Sequence, residues 1–391
     1  MPGTNGVSER DRIDALRDEL VAWRHDLHMH PEMAYHEHRT SDFVAKRLTD
    51  AGLPIHRGLG KTGVVATLKA GQGSRTISLR ADMDALPITE ESGKPWASTT
   101  PGTMHACGHD GHTTMLLGAA TALAAEPDFD GTVHFIFQPA EEMAGGGKAM
   151  IDDGLFEQFP TDAVFGMHNF PGVPQGTFAM RAGPMMAAAD RFEIVVQGRG
   201  GHAAQPHRTL DPVPVAAEIV LALQSIVSRR VDPLAHAVLS ITQILAGDAM
   251  NIVPDRAVLR GTVRTFDPAV QDAVEADLRR VVEGVCHAHG LTQSINYMRG
   301  YPATVNAASE LDSAANAARR VAGDAHVVTD TPPVMAAEDF SFMLQRRPGM
   351  YVFLGAGDTP GLHNPRYDFN DEILTTGVRY WVELVRTRLA R

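Results

Sequence analysis

The spacing of apolar residues predicts alternating helices and strands in the first half of the chain. Apolar residues recur at helical spacing over about 9–29 and 39–51, and a Leu- and Ala-rich helix is expected over about 113–126. Short apolar runs predict strands at 64–68, 76–80, 131–137 and 162–168. Apolar strands that alternate with helices indicate an α/β fold with an open, mostly parallel sheet.

A second pattern occupies the chain between about Gly183 and Tyr301. The predicted order there is strand, helix, strand, strand, helix, strand, over 192–196, 212–229, 238–245, 257–266, 274–285 and 293–297. This βαββαβ order is that of a ferredoxin-like α+β module. We therefore expect a catalytic domain of residues 1–184 and 302–391, split by an inserted lid domain of residues 185–301.

Length, composition and charge narrow the functional classes. The 391 residues suffice for two cores, and 44% hydrophobic with 21% charged residues is typical of a soluble globular protein. A formal net charge of -12 argues against a nucleic-acid partner, because counterion release needs a basic face.

The same composition gives expectations about location. No run approaches the roughly 18 unbroken apolar residues of a membrane span. The polar residues 1–11 lack the apolar core of a secretory signal. Two cysteines cannot form a disulfide framework, so we expect a cytoplasmic protein without a membrane partner.

Candidate chemistry is concentrated in residues 104–112, which contain three histidines, Cys107 and Asp110. Gly108 allows the backbone to bend between the thiol and the next imidazole. Thiolate and imidazole suit Zn²⁺ and similar ions, whereas Mg²⁺ and Ca²⁺ prefer oxygen. Metal binding is the simplest interpretation. Two alternatives remain: histidines that only cap the following helix, and Cys107 as a nucleophile with a neighbouring histidine as its base.

Two pairs of acidic residues follow other predicted strands. Asp82 and Asp84 point the same way on an extended backbone, where carboxylates can bind a metal or, as we expect for Asp84, orient an imidazole ligand. Adjacent Glu141 and Glu142 diverge, so one could bind metal while the other acts as a base. Each pair could instead be solvated, at a strand end or at a helix start.

Two histidines complete the pattern. His168 ends a short apolar strand, and His363 lies in the loop after the predicted strand 350–355. In an open α/β sheet the site lies outside the carboxyl ends of the strands. The sequence therefore predicts that these separate segments converge on one site.

As a set, the motifs resemble those of the zinc-type aminoacylase and carboxypeptidase metallopeptidases. Within that family they resemble the amidohydrolase branch, which includes hippurate hydrolases, N-acyl amino acid amidohydrolases and plant auxin-conjugate hydrolases. The matching segments are 80–87, 104–112, 138–142, 166–168, 200–207, 337–340 and 362–364. Relatives outside this branch carry His-x-Asp where this chain has Asp82-Met83-Asp84, and the resemblance implies that Cys107 replaces the absent histidine ligand.

The resemblance implies the role of each site residue. It implies two divalent metal ions, Zn²⁺, Mn²⁺, Co²⁺ or Ni²⁺, with the ligands Cys107, His109, Glu142, His168 and His363. It also implies that Glu141 is the general base and that His202 of the lid helps to stabilise the oxyanion. Asn251 and Arg264 resemble the residues that hold the carboxylate of the substrate.

The expected function is that of a metal-dependent amidohydrolase that cleaves small N-acyl amino acids, of the aminoacylase or hippurate-hydrolase type. The resemblance further implies a homodimer, or a dimer of dimers, formed through the lid. A thiol hydrolase that uses Cys107 is the alternative enzyme, although it leaves the other ligand-type residues without a task. A metal-dependent binding protein would lack a base, whereas Glu141 is present.

Overall fold

The structure, a computed structural model, describes residues 9–391. The start of the polar stretch expected to lack a secretory signal, residues 1–8, lies outside this range. The chain divides into two units. The first contains residues up to Met185 together with Val305–Pro332 and Asp339–Arg391, and the second contains Met186–Thr304 and Pro333–Glu338. Each unit has its own hydrophobic core.

The observed elements follow the predicted order. The helices are α1 (Glu9–Ala15), α2 (Arg17–Met29), α3 (His38–Asp50), α4 (His109–Ala125), α5 (Glu141–Ala144), α6 (Gly146–Asp152), α7 (Leu155–Gln158), α8 (Pro212–Arg229), α9 (Pro268–Ala288), α10 (Ala308–Ala322), α11 (Phe340–Leu344) and α12 (Leu374–Arg388). The strands are β1 (Ile55–Leu59), β2 (Gly63–Ala70), β3 (Thr76–Asp82), β4 (Gly131–Gln138), β5 (Ala163–Pro171), β6 (Phe178–Ala179), β7 (Gly183–Met186), β8 (Ala188–Gln197), β9 (Gly201–His202), β10 (Ala237–Ala246), β11 (Ile252–Val253), β12 (Arg256–Thr265), β13 (Thr292–Tyr301), β14 (Thr304–Asn306), β15 (Val327–Val328) and β16 (Gly349–Gly357).

The first unit is built on a sheet in the order β1-β2-β4-β3-β5-β16-β6-β15. The four central strands, β4, β3, β5 and β16, are all parallel, while β1–β2, β2–β4 and β16–β6 pair antiparallel. Residues 349–356 of β16 are all buried, which explains why this strand reads as a continuous apolar run rather than an alternating one. The predicted open, mostly parallel sheet is confirmed.

Helix α4 forms the centre of the helical packing in this unit. Its residues 109–120 are all buried, because α2, α3 and α12 contact it in addition to the sheet. Gly118 permits the close approach: a Cβ at this position would lie 2.7 Å from side-chain atoms of both Leu20 and Val378. The mostly apolar sequence of residues 115–125 thus reflects a helix enclosed on several sides.

The second unit has a four-stranded antiparallel sheet in the order β10-β12-β8-β13, with α8 and α9 packed together against it. If the four strands are numbered by their order in the chain, their order across the sheet is 2-3-1-4. This is the arrangement of a ferredoxin-like module. Asp211 and Asp267 cap the two helices by accepting hydrogen bonds from Val213 N and Ala269 N. The predicted order of strands and helices is confirmed for this unit.

Helix α8 is long and apolar enough to cross a membrane by length and mean hydropathy alone, with a mean hydropathy of 1.2 over 18 residues. A core helix of a compact module meets the same criteria. The inward face of α8 is buried in the core of the second unit, through Val215, Ala216, Ile219, Leu223 and Ile226. Packing therefore accounts for the apolar residues on this inward face, while Val213 and Leu221 of α8 are exposed.

Candidate metal centre

The carboxyl ends of the four central strands meet at one edge of the sheet, and each leads to a candidate ligand or its partner. Asp82 ends β3 and Asp84 follows it, while α5 begins with Glu141 directly after β4. His168 lies in β5, and His363 lies in the loop after β16. This convergence is the one expected for parallel strands.

Donor atoms of the five expected ligands lie close together in the first unit. Cys107 Sγ is 3.4 Å from His168 Nε2, and Glu142 Oε1 is 3.2 Å from His363 Nε2 and 3.8 Å from His109 Nε2. Ligand atoms of two triads lie within 4.8 Å of one another, namely Cys107, His109, His168 and Cys107, Glu142, His363. Because Cys107 belongs to both triads, they outline two adjoining candidate positions.

The site contains a buried polar atom that no protein group satisfies. His109 Nε2 is buried and makes no hydrogen bond within residues 9–391, and buried Glu142 Oε1 has only His363 Nε2 beside it, at 3.2 Å. Such atoms are costly unless they bind something, because burial removes their water. Thiolate, imidazole and carboxylate together suit Zn²⁺ and related transition ions. The residues present therefore fit divalent metal ions.

The electrostatics of the site also favour a cation. Burial raises the pKa of the Cys107 thiol well above its usual value, and the carboxylates Glu142 and Glu141 raise it further. Burial lowers the pKa of His109, but Asp82 and Asp84 outweigh this effect and raise it to about 10. Carboxylates contribute to both shifts, and a divalent ion would balance their negative charge. A free thiolate nucleophile is correspondingly disfavoured.

Asp84 lies where it can orient both a histidine and the two glutamates. The Asp84 carbonyl oxygen accepts a hydrogen bond from His109 Nδ1 at 2.8 Å, which leaves His109 Nε2 as the atom that faces the site. The two carboxylate oxygens of Asp84 accept the amides of Glu141 and Glu142, each at 3.0 Å. Asp84 thus links the start of α4 to α5.

Asp82 and His112 belong to a buried network. Asp82 Oδ2 accepts a hydrogen bond from Arg80 Nη1 at 2.6 Å, and Asp82 Oδ1 lies 2.7 Å from His112 Nδ1. His112 Nε2 is 2.7 Å from Asn169 Oδ1, and Asn169 donates to Tyr367 Oη at 2.7 Å. Although ligand atoms of Asp82, His109 and His112 also lie within 4.8 Å of one another, Asp82 and His112 are already paired with these protein groups.

The sequence reasoning missed Arg80, Asn169 and Tyr367 in this network. Arg80 could have been found from the sequence, because it lies two residues before Asp82 in a predicted buried strand. A charged residue in such a strand needs a buried partner of opposite charge. Asn169 and Tyr367 stand in no spacing pattern that marks them.

Gly108, between Cys107 and His109, is required by its surroundings. Its φ is 93°, in the left-handed region, and it precedes the first residue of α4. A Cβ at this position would lie 2.3 Å from Asn169 Oδ1 and 2.6 Å from Tyr367 Oη. Only glycine allows the Cys107 backbone to pass this close to the network.

We expect Gly108→Ala to lower the free energy of unfolding by about 2–5 kcal/mol, from left-handed strain and overpacking together. Gly102→Ala is the matched control, because Gly102 also has a positive φ of 76° but a Cβ added there would have no described atom within 4 Å. The free energy of unfolding of the control variant should fall by only about 1 kcal/mol. Urea unfolding of both variants measures the difference, and equal losses would contradict the packing argument.

Behind the site, the first turn of α4 is tied to α2 by a buried ion pair. His28 Nδ1 lies 2.8 Å from Asp110 Oδ2, and both side chains are fully buried. Burial lowers the pKa of His28, but Asp110 outweighs it and raises the pKa from 6.5 to about 9. The folded protein therefore favours the protonated imidazole.

This shift predicts how stability depends on pH. Because the folded pKa is the higher one, the contribution of His28 is complete below pH 6.5 and is lost as pH rises through about 9. The His28→Gln variant keeps a hydrogen-bond donor but cannot titrate. Between pH 6 and pH 10, we expect the free energy of unfolding of the wild type to fall by about 3 kcal/mol more than that of this variant. Urea unfolding at both pH values measures it, and a constant difference would refute the assignment.

The remaining three candidates lie in the second unit. His202, in β9, pairs with Ile252 of β11, and the Asn251 carbonyl oxygen accepts the Ala203 amide at 3.0 Å. Arg264 lies in β12, half-buried, and burial followed by the nearby Arg191 lowers its pKa. His202 and Asn251 thus share one small sheet region, while Arg264 lies on the main sheet of this unit.

Comparisons with known proteins place the chain in a family. The family model described as peptidase family M20/M25/M40 matches residues 78–387. The hippurate hydrolase of Campylobacter jejuni is 42% identical over 94% of this chain and 96% of its own length. The N-acetylcysteine deacetylase of Bacillus subtilis is 40% identical over 95% and 97% of the two chains.

A solved structure supports the same assignment. The Bacillus subtilis YXEP protein, described as a dinuclear metal-binding peptidase of the M20 family, superposes with a TM-score of 0.84. It is 36% identical and covers 96% of this chain and 99% of its own. These matches confirm the resemblance drawn from the motifs. The chain therefore belongs to the peptidase family M20/M25/M40 and is a hydrolase.

Proposed function

We propose that this protein is a metal-dependent amidohydrolase that releases an amino acid from an N-acyl amino acid. The observation that carries the proposal is the convergence of thiol, imidazole and carboxylate donors around His109 Nε2, a buried atom that makes no hydrogen bond within the described residues. The proposed ligands of two divalent ions, Zn²⁺, Mn²⁺, Co²⁺ or Ni²⁺, are Cys107, His109, Glu142, His168 and His363.

The relatives support the substrate class. Proteins that match over nearly their whole length are named hippurate hydrolase and N-acetylcysteine deacetylase, and another is named N-acyl-L-amino acid amidohydrolase. Each of these names describes hydrolysis of an amide between an acyl group and an amino acid. We infer the same class of small-molecule substrate for this chain.

Glu141 is the proposed general base. When bound, the metal ions supply a water whose pKa is lowered towards about 7 and a positive charge for the carbonyl oxygen. Glu141 would take the proton of the attacking water as the water oxygen bonds to the amide carbon, and would pass that proton to the nitrogen as the C–N bond breaks. Its position supports this role: it is adjacent to the proposed ligand Glu142, only 6% exposed, and its Oε1 accepts the Asp339 amide at 3.3 Å.

His202 is the proposed oxyanion donor. Its Nδ1 accepts a hydrogen bond from the Ala204 amide at 3.1 Å, so the neutral ring carries its proton on Nε2. A neutral Nε2–H donor is the form that can stabilise a developing negative charge without a prior protonation step. Asn251 and Arg264 are proposed to hold the substrate carboxylate. The pKa of Arg264 is already lowered by burial and by Arg191, and a bound carboxylate would offset that repulsion.

The thiol alternative is weaker. Cys107 does have a histidine partner, since His168 Nε2 is 3.4 Å from its sulfur. However, burial and the neighbouring carboxylates raise the thiol pKa, and burial lowers the pKa of His168 well below its usual value. Both shifts therefore disfavour a thiolate–imidazolium pair, because one opposes loss of the thiol proton and the other opposes protonation of the imidazole. A bound metal ion would instead stabilise the thiolate.

The location and the assembly remain predictions. A cytoplasmic location fits the two free, buried cysteines. The homodimer, or dimer of dimers, formed through the second unit rests on the family resemblance.

The proposal is tested by measuring the primary amine released from a panel of N-acetyl, N-benzoyl and N-indoleacetyl amino acids by the metal-loaded enzyme. The matched control panel contains the methyl esters of the same compounds, which lack the free carboxylate. We expect turnover of at least one acyl class, with the esters cleaved more slowly because Arg264 and Asn251 have no anion to hold. Absence of turnover across the acyl panel would contradict the proposal.

A further inference from the structure

A buried carboxylate in a different part of the chain holds the turn that presents Glu141 and Glu142. Glu37, at the start of α3, is fully buried, and its Oε1 accepts a hydrogen bond from the Ala140 amide at 2.9 Å. Its Oε2 accepts a hydrogen bond from Thr62 Oγ1 at 2.7 Å. A buried carboxylate held only by neutral donors is expensive, so a chain that keeps it gains something else from it.

The turn needs such support because it is strained. Ala140 has φ 56° and ψ 41°, a left-handed conformation that costs a non-glycine residue about 1–2 kcal/mol. Strain of this kind persists only where surrounding contacts over-determine the backbone. The hydrogen bond to Glu37 is made by the amide of the strained residue itself.

Three consecutive amides of this turn are held by two buried carboxylates. Glu37 accepts the Ala140 amide, and Asp84 accepts the amides of Glu141 and Glu142, each at 2.9–3.0 Å. The backbone of the turn is therefore fixed at three successive positions, immediately where the two site glutamates begin α5.

The same segment also contacts the other end of α5. Tyr35, two residues before Glu37, donates from its hydroxyl to the Ala144 carbonyl oxygen at 2.9 Å. Tyr35 itself has a positive φ of 64°. Segment 35–37 thus holds both ends of the short helix α5, through Ala140 at the start and Ala144 at the end.

We propose that Glu37 is a positioning residue for Glu141 and Glu142, assisted by Tyr35, and that it acts by holding the strained Ala140 turn. The roles of the two glutamates as base and ligand rest on the function proposed above. Glu37 and Tyr35 act through the backbone of the turn and are assigned no contact with substrate or metal. Burial raises the pKa of Glu37, and either protonation state leaves an oxygen that accepts the Ala140 amide.

The primary test measures Co²⁺ binding to the metal-free full-length protein, by titration and by the thiolate-to-cobalt absorption band. Glu37→Leu, which leaves the Ala140 amide without an acceptor, should bind Co²⁺ about 10–100-fold more weakly, the usual range for a lost partner of a ligand. Glu37→Gln keeps an acceptor, and the Thr62 hydroxyl can then accept from its amide, so this variant should bind as wild type does. Thr62→Val should lose stability but not Co²⁺ affinity.

A double variant separates positioning from a merely structural role. Glycine adopts φ 56° without strain, so Ala140→Gly removes the reason for the Glu37 contact. We expect Glu37→Leu to cost less Co²⁺ affinity in the Ala140→Gly background than in wild type. If the two losses simply add, or if Glu37→Gln binds as poorly as Glu37→Leu, the proposal is wrong. If Glu37→Leu does not fold, Tyr35→Phe replaces it as the test variant, because Tyr35 is only partly buried. Unchanged Co²⁺ binding by Tyr35→Phe would then overturn the proposal.

Glu142→Gln distinguishes this proposal from the function on which it rests. If Glu142→Gln binds Co²⁺ as wild type does, the ligand assignment fails first. If Glu142→Gln loses the ion while Glu37→Leu keeps it, the ligand assignment stands and the positioning role of Glu37 is refuted.

Discussion

The Glu141→Gln variant is expected to keep its metal ions and to lose between about 10²- and 10⁴-fold in kcat, the usual contribution of a general base. Glutamine is nearly isosteric and its amide oxygen can still accept the Asp339 amide, which Glu141 Oε1 accepts at 3.3 Å. The change therefore removes proton transfer and little else. KM should change far less than kcat, because Glu141 acts on the water rather than on substrate affinity.

The measurement combines steady-state kinetics with metal analysis of the same sample. Glu142→Gln is the matched control, since it makes the same chemical change one residue along α5 and should lose metal as well as rate. A Glu141→Gln enzyme with wild-type kcat would remove Glu141 from the mechanism. A Glu141→Gln protein that loses its metal would show that Glu141 is a ligand rather than the base.

Removal of the metal is expected to abolish activity, with a loss on the order of 10³-fold or more, because water without a metal ion has a pKa of about 15.7 instead of about 7. Activity should return when one kind of divalent ion is added back. The measurement is turnover of the best panel substrate by enzyme as purified, after chelation, and after addition of Zn²⁺, Mn²⁺, Co²⁺ or Ni²⁺ singly.

Thiol alkylation provides the control for this experiment. The chain has two cysteines, both free and buried, so Cys286 in α9 reports on general unfolding during chelation. We expect Cys107 to be alkylated only after chelation, and slowly because its thiol is buried and its pKa is raised, whereas added metal should protect it. Cys286 should stay unmodified throughout. Full activity after complete metal removal would overturn the metal mechanism and favour Cys107 as a nucleophile.

Much of the fold could be predicted because apolar periodicity reports burial directly. Strands β4, β5 and β16 read as apolar runs, and Glu142, His168 and His363 became candidates because they end or follow those runs. Cys107 and His109 were indicated instead by the cluster at 104–112. The boundaries were less accurate. A single helix was predicted over 9–29, whereas Leu16 separates α1 from α2, and α4 begins at His109 rather than near Thr113. The left-handed Gly108 starts α4 earlier than its apolar pattern indicates.

The groups that orient the site could not be predicted in the same way. Glu37 lies in a polar segment and looks like a solvated acid, yet it is fully buried because Thr62 and Ala140 donate to it. His112 was part of the cluster that indicated metal binding, but it is held by Asp82 and Asn169. Hydrogen bonds between residues far apart in the chain leave no periodic signal, so only coordinates separate a ligand from its neighbour.

The candidate ligands are divided by the second unit: four precede it in the chain, and His363 follows it. Strand β16, which leads to His363, is also the strand that joins β5 to β6. A ribosome must therefore complete the whole second unit before either the sheet or the proposed metal centre can close. Metal loading accordingly belongs to the last stage of biosynthesis, and a chain released early lacks both a ligand and the strand that would bring it into place.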